Sequence, residues 1–154
     1  MPAAAGSIAR TVRRIDGAGS RTRSPRGPNG AMPATALIAD GDESARSRIR
    51  GAIEDLVRIV GEAGSDEEAL AAALELQPDV VLIDLDLPAS GGIATTHRIK
   101  NEQPATRVVL LTAHGEEAYL DGTGKSGADA LLSKRAARTE ARAVLSSLLR
   151  IPHR

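Results

Sequence analysis

Pro78-Asp79-Val80-Val81-Leu82-Ile83-Asp84-Leu85-Asp86-Leu87-Pro88 is the stretch that decides the fold. Four consecutive aliphatic residues, Val80 to Ile83, are preceded by a Pro-Asp pair and stopped by a carboxylate. A short run that is apolar on both parities suits a strand buried on both faces, as in a parallel sheet covered by helices on two sides. Asp84 then stands at the carboxyl end of that strand, the end beyond which open parallel sheets bind their ligands.

Working outward, four similar runs share the pattern: Ala36-Leu37-Ile38-Ala39, Val57 to Val60, Val108-Val109-Leu110-Leu111 and Ala130-Leu131-Leu132. The second of them contains Arg58 and reads as an edge strand. Helical periodicity fills the intervals. Ala45, Ile49, Ala52, Ile53 and Leu56 share one face, as do Leu70, Ala73 and Leu74, and later Ala141, Val144, Leu145 and Leu148. Ser65 followed three residues later by Glu68 predicts a capping box at the start of the second helix. Five strands alternating with five helices predict an α/β domain, and right-handed crossovers make it a doubly wound parallel sheet. Gly122 and Gly124 fall inside the fourth helix at a cost of about 1 kcal/mol each, which predicts a short or mobile element over residues 116–126.

Composition agrees with one globular unit plus a tail. The 154 residues are 42% apolar and 26% charged, with one Tyr, no Phe and no Trp, so the core must be built from Val, Ile, Leu and Ala. Without cysteine there is no disulfide, thiolate ligand or thiol nucleophile, which is compatible with a cytoplasmic location. No apolar run approaches the roughly 18 residues of a membrane span, and no apolar leader stands at the N-terminus. Net charge is zero but unevenly placed: residues 1–33 hold six Arg against one Asp. That stretch, rich in Gly, Ser, Pro and Ala, reads as a disordered basic tail before a domain at 34–154. Its lack of aromatic residues weakens a single-strand nucleic-acid reading, and Met32 offers an alternative natural start.

The strand ends carry the chemistry. The first strand ends in Asp40, followed by Gly41-Asp42; the third in Asp84, followed by Leu85-Asp86; the fourth in Thr112-Ala113; the fifth in Ser133-Lys134. If these strands are adjacent, carboxylates, a hydroxyl and an ammonium converge. Crowded carboxylates call for a cation, and Mg²⁺ usually takes one or two of them. A nearby Lys and Thr suit phosphoryl oxygens. Any one such residue is commonplace at a strand end; four at the right ends together are not.

Residues 35–150 resemble the response-regulator receiver domain, most specifically through Pro78 to Pro88 with Gly92 eight positions after Asp84, and then through Thr112-Ala113 and Gly127-Ala128-Asp129 to Lys134. The resemblance implies a flavodoxin-like sheet of strand order 2-1-3-4-5. It implies that Asp84 accepts a phosphoryl group from a histidine kinase or phosphotransfer protein. Asp40, Asp84 and the backbone carbonyl of Asp86 would hold Mg²⁺, while Thr112 and Lys134 would bind the phosphoryl oxygens. Asp86 and His114 fall where the family tunes the lifetime of the phosphoryl group. Lys134-Arg135, with no Pro after the Lys, is similar to receivers of LuxR-type regulators.

Three features depart from the family. Gly41 replaces the second of two adjacent acids, the direct metal ligand, so weak Mg²⁺ binding is expected unless Asp42 compensates through a backbone shift that Gly41 permits. Leu131 stands at the switch position, where a Tyr or Phe ring usually reports engagement of the Thr. No output or DNA-binding domain follows the last helix, so the chain is expected to act alone or as a truncation. The partners expected are a kinase and an unidentified output protein, with no membrane; homodimer formation is left open. A phosphorylation-independent pseudo-receiver that serves as an interaction module is the main alternative. A metal-dependent phosphatase lacks its cap insertion. Gly122-Thr123-Gly124-Lys125-Ser126 imitates part of a P-loop, but Tyr119 replaces the required Gly and no strand directly precedes it. The reading is therefore a signalling domain rather than a conventional enzyme.

Overall fold

In the computed structural model, residues 13–14, 33–113 and 127–149 are described. Strands β1 (Thr35–Ala39), β2 (Arg58–Ala63), β3 (Val80–Asp84), β4 (Arg107–Thr112) and β5 (Ala130–Ser133) alternate with helices α1 (Glu43–Ile53), α2 (Asp66–Leu76), α3 (Gly91–Glu102) and α4 (Ala137–Leu149). All pairings among the five strands are parallel, in the order 2-1-3-4-5 that the resemblance implies. The element expected to be weakened by Gly122 and Gly124 lies outside the described residues.

Apolar residues on both parities are divided between two cores. Leu37, Ala39, Val81, Ile83, Val108 and Leu110 face α2 and α3. Ala36, Ile38, Val80, Leu82, Val109 and Leu111 face α1 and α4. Every one of these is fully buried, so the central strands are covered on both sides as their composition predicts.

Helix starts are set by short side chains that accept otherwise orphaned amide protons. Asp42 caps α1 by accepting from Ser44 N–H, and Ser65 caps α2 by accepting from Glu68 N–H. The capping box forms with one alteration: Glu68 reaches back to the amide of Gly64, at 2.8 Å.

Three details differ from the expectations. β2 runs to Ala63, three residues past Val60, because Gly61, Glu62 and Ala63 continue to pair with β1. On α2 the buried face is Ala69, Ala72 and Ala73, and Leu74 is 38% exposed, because the face turned to the core runs through the alanines. Arg13–Arg14, inside the stretch read as a disordered tail, pairs antiparallel with Glu62 and Gly61 on the outer edge of β2. Edge strands present unpaired amide and carbonyl groups, which such a pairing satisfies. The other residues before Pro33 lie outside the described set.

Candidate functional site

Parallel pairing in register brings the carboxyl ends of β1, β3, β4 and β5 to one rim. Ala39 pairs with Ile83, Asp84 with Leu111, and Thr112 with Ser133, so Asp40, Asp84, Thr112 and Lys134 follow from the same edge. Asp40, Asp84 and Thr112 are all buried.

Lys134 joins the two acids. Its Nζ lies 2.6 Å from Asp40 Oδ2 and 3.2 Å from Asp84 Oδ1. It projects from a single turn of 3₁₀-helix, Lys134–Ala136, whose start is capped by Ser133 Oγ accepting from Arg135 N–H. Backbone amides complete the arrangement: Asp42 N–H donates to Asp40 Oδ1 at 2.8 Å, and Asp86 N–H to Asp84 Oδ1 at 3.2 Å. Arg46 donates to the Asp40 carbonyl at 2.7 Å and so ties α1 to the end of β1.

Burial, and then repulsion from Asp40, push the Asp84 carboxyl above its ordinary range, against the pull of the Asp86 amide and Lys134. Burial draws the Lys134 ammonium down, but Asp40 and Asp84 outweigh it and hold the group above its usual value. Two acids thus share one resident cation.

The residues present fit a divalent metal in part. Asp40 Oδ2 is buried and lacks a partner in hydrogen-bonding geometry, although the ammonium is within ion-pair distance. Two carboxylates against one ammonium leave negative charge for a second cation, and Mg²⁺ needs no more protein carboxylates than these. Asp42 is diverted: its carboxylate is exposed and caps α1. Among the described residues, no group of three or more acids, His or Cys gathers as a metal cluster. A Cβ at Gly41 would come within 2.8 Å of Pro88 Cγ, so a ring lies where an acidic side chain would begin.

The remaining candidates are distributed as follows. Asp86 is exposed, next to the pocket in sequence. Leu131 is half-buried against the core under α2 and α3. His114 lies outside the described residues, as does the P-loop-like run.

Sequence reasoning missed several supporting residues. Glu62 is buried and paired with Arg46, at 3.0 Å, and with Arg50. Burial pushes its carboxyl up, but the two guanidinium groups more than reverse this and leave it below the ordinary range. Asp66 is buried and accepts from Ser90. An acid inside an otherwise apolar strand end was the available signal for Glu62; nothing in the sequence joins Asp66 to Ser90.

Comparison with known proteins agrees with this geometry. Residues 36–146 match the family described as response regulator receiver domain. The response regulator GacA of Pseudomonas viridiflava is 33% identical over 106 residues, covering 68% of this chain and 50% of that protein. UvrY of Escherichia coli K12 is 32% identical over 114 residues, covering 73% and 52%. The chain therefore spans about half the length of the curated relatives it matches. Among solved structures, the signal receiver domain of NarL from Mycobacterium tuberculosis superposes with a TM-score of 0.69 at 29% identity, covering 75% of this chain and 96% of that one. A LuxR-family regulator from Aurantimonas gives 0.67 at 28%, covering 75% and 85%.

Proposed function

Because this chain belongs to the family of response regulator receiver domains, we propose that Asp84 accepts a phosphoryl group from the phosphohistidine of a histidine kinase or phosphotransfer protein. In that step the phosphorus–nitrogen bond breaks and a bond to Asp84 Oδ forms; later hydrolysis returns the carboxylate and inorganic phosphate. The observation that carries the reading is the Asp40–Lys134–Asp84 contact at the rim of the sheet.

Phosphoryl transfer needs positioning and neutralisation more than covalent chemistry. Lys134, already between the acids, is placed to follow charge from carboxylate to phosphoryl oxygen. Thr112, buried at the end of the neighbouring strand, supplies a hydroxyl for the same oxygens. Asp40 and Asp84, with the carbonyl of Asp86, are the groups that would hold Mg²⁺, which when bound neutralises the transferring oxygens. The Asp84 carboxylate is partly relieved of repulsion when Asp40 is so engaged. The added charge then biases the surface beyond β4 and β5. Leu131 offers no ring there, so the response passes through packing rather than a rotating aromatic side chain. The output partner is a protein; among the described residues, no helix is long and apolar enough to cross a membrane.

A second reading has one observation in its favour. Gly41 brings no carboxylate after Asp40, and Pro88 lies where its side chain would begin, which suits a pseudo-receiver that binds partners without phosphorylation. Incubation with acetyl phosphate and Mg²⁺ followed by intact-mass measurement separates the two. A single phosphoryl adduct absent from Asp84→Asn supports the acceptor reading, and an unmodified wild type overturns it.

A further inference from the structure

The loop from β3 to α3 is held from outside the acid pocket. Leu85 and Leu87 root its first half in the core, and Leu87 N–H donates to the Asp84 carbonyl at 3.1 Å. Beyond Leu87 the chain lays Pro88 on the β1–α1 turn: from an ideal Cβ at Gly41, Pro88 Cγ and Cδ would be 2.8 and 3.0 Å away. Ala89, the next residue, is costly to hold: its φ of 81° lies in the left-handed region, which disfavours any residue with a Cβ, whereas Gly91 adopts φ 90° without that penalty.

Ser90, between these two positions, has both its amide and its hydroxyl on one oxygen of Asp66, at 3.2 and 2.6 Å. Ser90 is itself exposed, so burial does not force the contact. Asp66 is buried at the first turn of α2, on a different crossover of the sheet, and is fixed in turn by Glu67 N–H at 2.7 Å. The hydroxyl of Ser90 is the chief cause holding the Asp66 carboxyl below its ordinary range, so this acceptor is charged and the hydrogen bonds are of the stronger, charge-assisted kind.

We propose that Asp66 and Ser90 form a latch, a positioning pair that holds the strained loop closed with Pro88 over Gly41 and so restricts cation access to Asp40 and Asp84. This rests on the reading of those two acids as the cation-holding pair. Weak Mg²⁺ binding then has two separable sources: an acid missing at position 41, and a ring kept in its place from α2. Releasing the latch removes the second without touching the first.

The test is a Mg²⁺ titration of the full chain, followed through backbone amide NMR shifts of Gly41, Asp42, Asp84 and Asp86. Wild type, Ser90→Ala, Ser90→Thr, Asp66→Asn and Asp84→Asn are compared. Loss of one charge-assisted bond predicts Mg²⁺ binding tightened by about tenfold in Ser90→Ala. Asp66→Asn shifts the same way by less, and Ser90→Thr, which keeps the hydroxyl, stays near wild type. Titrations that depend on Asp84 but are unchanged in Ser90→Ala and Asp66→Asn overturn the latch alone. The absence of any Mg²⁺-dependent shift in every protein overturns the latch together with the cation reading. A metal-free readout is the stability cycle of Gly41→Asp with Ser90→Ala. If the latch holds the ring in place, the acid is better tolerated once Ser90 is released, and the two effects are not additive. Strict additivity also overturns it.

Discussion

Of the described glycines Gly41, Gly51, Gly64, Gly91, Gly92 and Gly127, Gly92 is the one where an added Cβ would meet its nearest neighbour most closely. It lies in the first turn of α3, and a Cβ built there would meet the Asp84 carbonyl oxygen at 2.4 Å, Leu85 Cα at 2.9 Å and the Asp84 carbonyl carbon at 3.0 Å. All three are backbone atoms of the acceptor strand's end, so no side-chain rotation relieves the contact. Its need is for space rather than for an unusual φ. Overpacking against atoms that cannot yield falls at the upper end of the usual range, about 3 kcal/mol. For a domain of this size that lowers Tm by roughly 10 °C. The same methyl at Gly51, on the exposed side of α1, meets nothing within 4 Å. Gly51→Ala should therefore stabilise by about 1 kcal/mol through helix propensity. Urea unfolding of both variants gives the comparison directly. A Gly92→Ala protein within 0.5 kcal/mol of wild type, roughly the scatter of neutral surface changes, refutes the close approach of α3 to the acceptor.

Further outcomes follow from strain and charge. Ala89→Gly removes a Cβ from a left-handed residue and should stabilise by up to about 1 kcal/mol net of glycine's added chain entropy, read as a rise in urea midpoint. Asp84 has its carboxyl raised by burial and then by repulsion from Asp40, so its ionisation opposes folding at neutral pH; Asp84→Asn should raise Tm, and an unchanged or lower Tm contradicts that combined burden of burial and repulsion. Glu62 and Asp66 are depressed, so their contribution is complete above the ordinary carboxylate range and is lost as pH falls through their lowered values. Thermal scans from neutral to acid pH should show this loss diminished in Glu62→Gln, and an identical acid limb in that variant counts against the Arg46–Glu62–Arg50 pairing.

What could be read from sequence followed the periodicity of the chain. Val80 to Ile83 and Val108 to Leu111 are short, doubly apolar and bounded by turn formers, and from such strands sheet class, strand ends and the gathering of Asp40, Asp84 and Lys134 all follow. Helix faces built from alanine were less legible. On α2, Leu74 reads as more apolar than Ala72, yet Ala72 is buried in the core and Leu74 is turned to solvent. Contacts between separate crossovers were not legible at all. Asp66 and Ser90 are 24 residues apart with no shared pattern, and Pro88 meets Gly41 only through the curl of two loops. Asp42 shows a residue with two plausible uses: the same short acid suits a metal or a helix cap, and here it caps.

The most direct test of the central claim locates the phosphoryl group itself. The chain is treated with acetyl phosphate and Mg²⁺, the acyl phosphate is trapped by borohydride reduction, and the modified position is mapped by peptide mass spectrometry. The account predicts reduction at Asp84 in the wild type and none in Asp84→Asn. Modification at Asp40, Asp42 or Asp86 instead, or at no carboxylate, would contradict it.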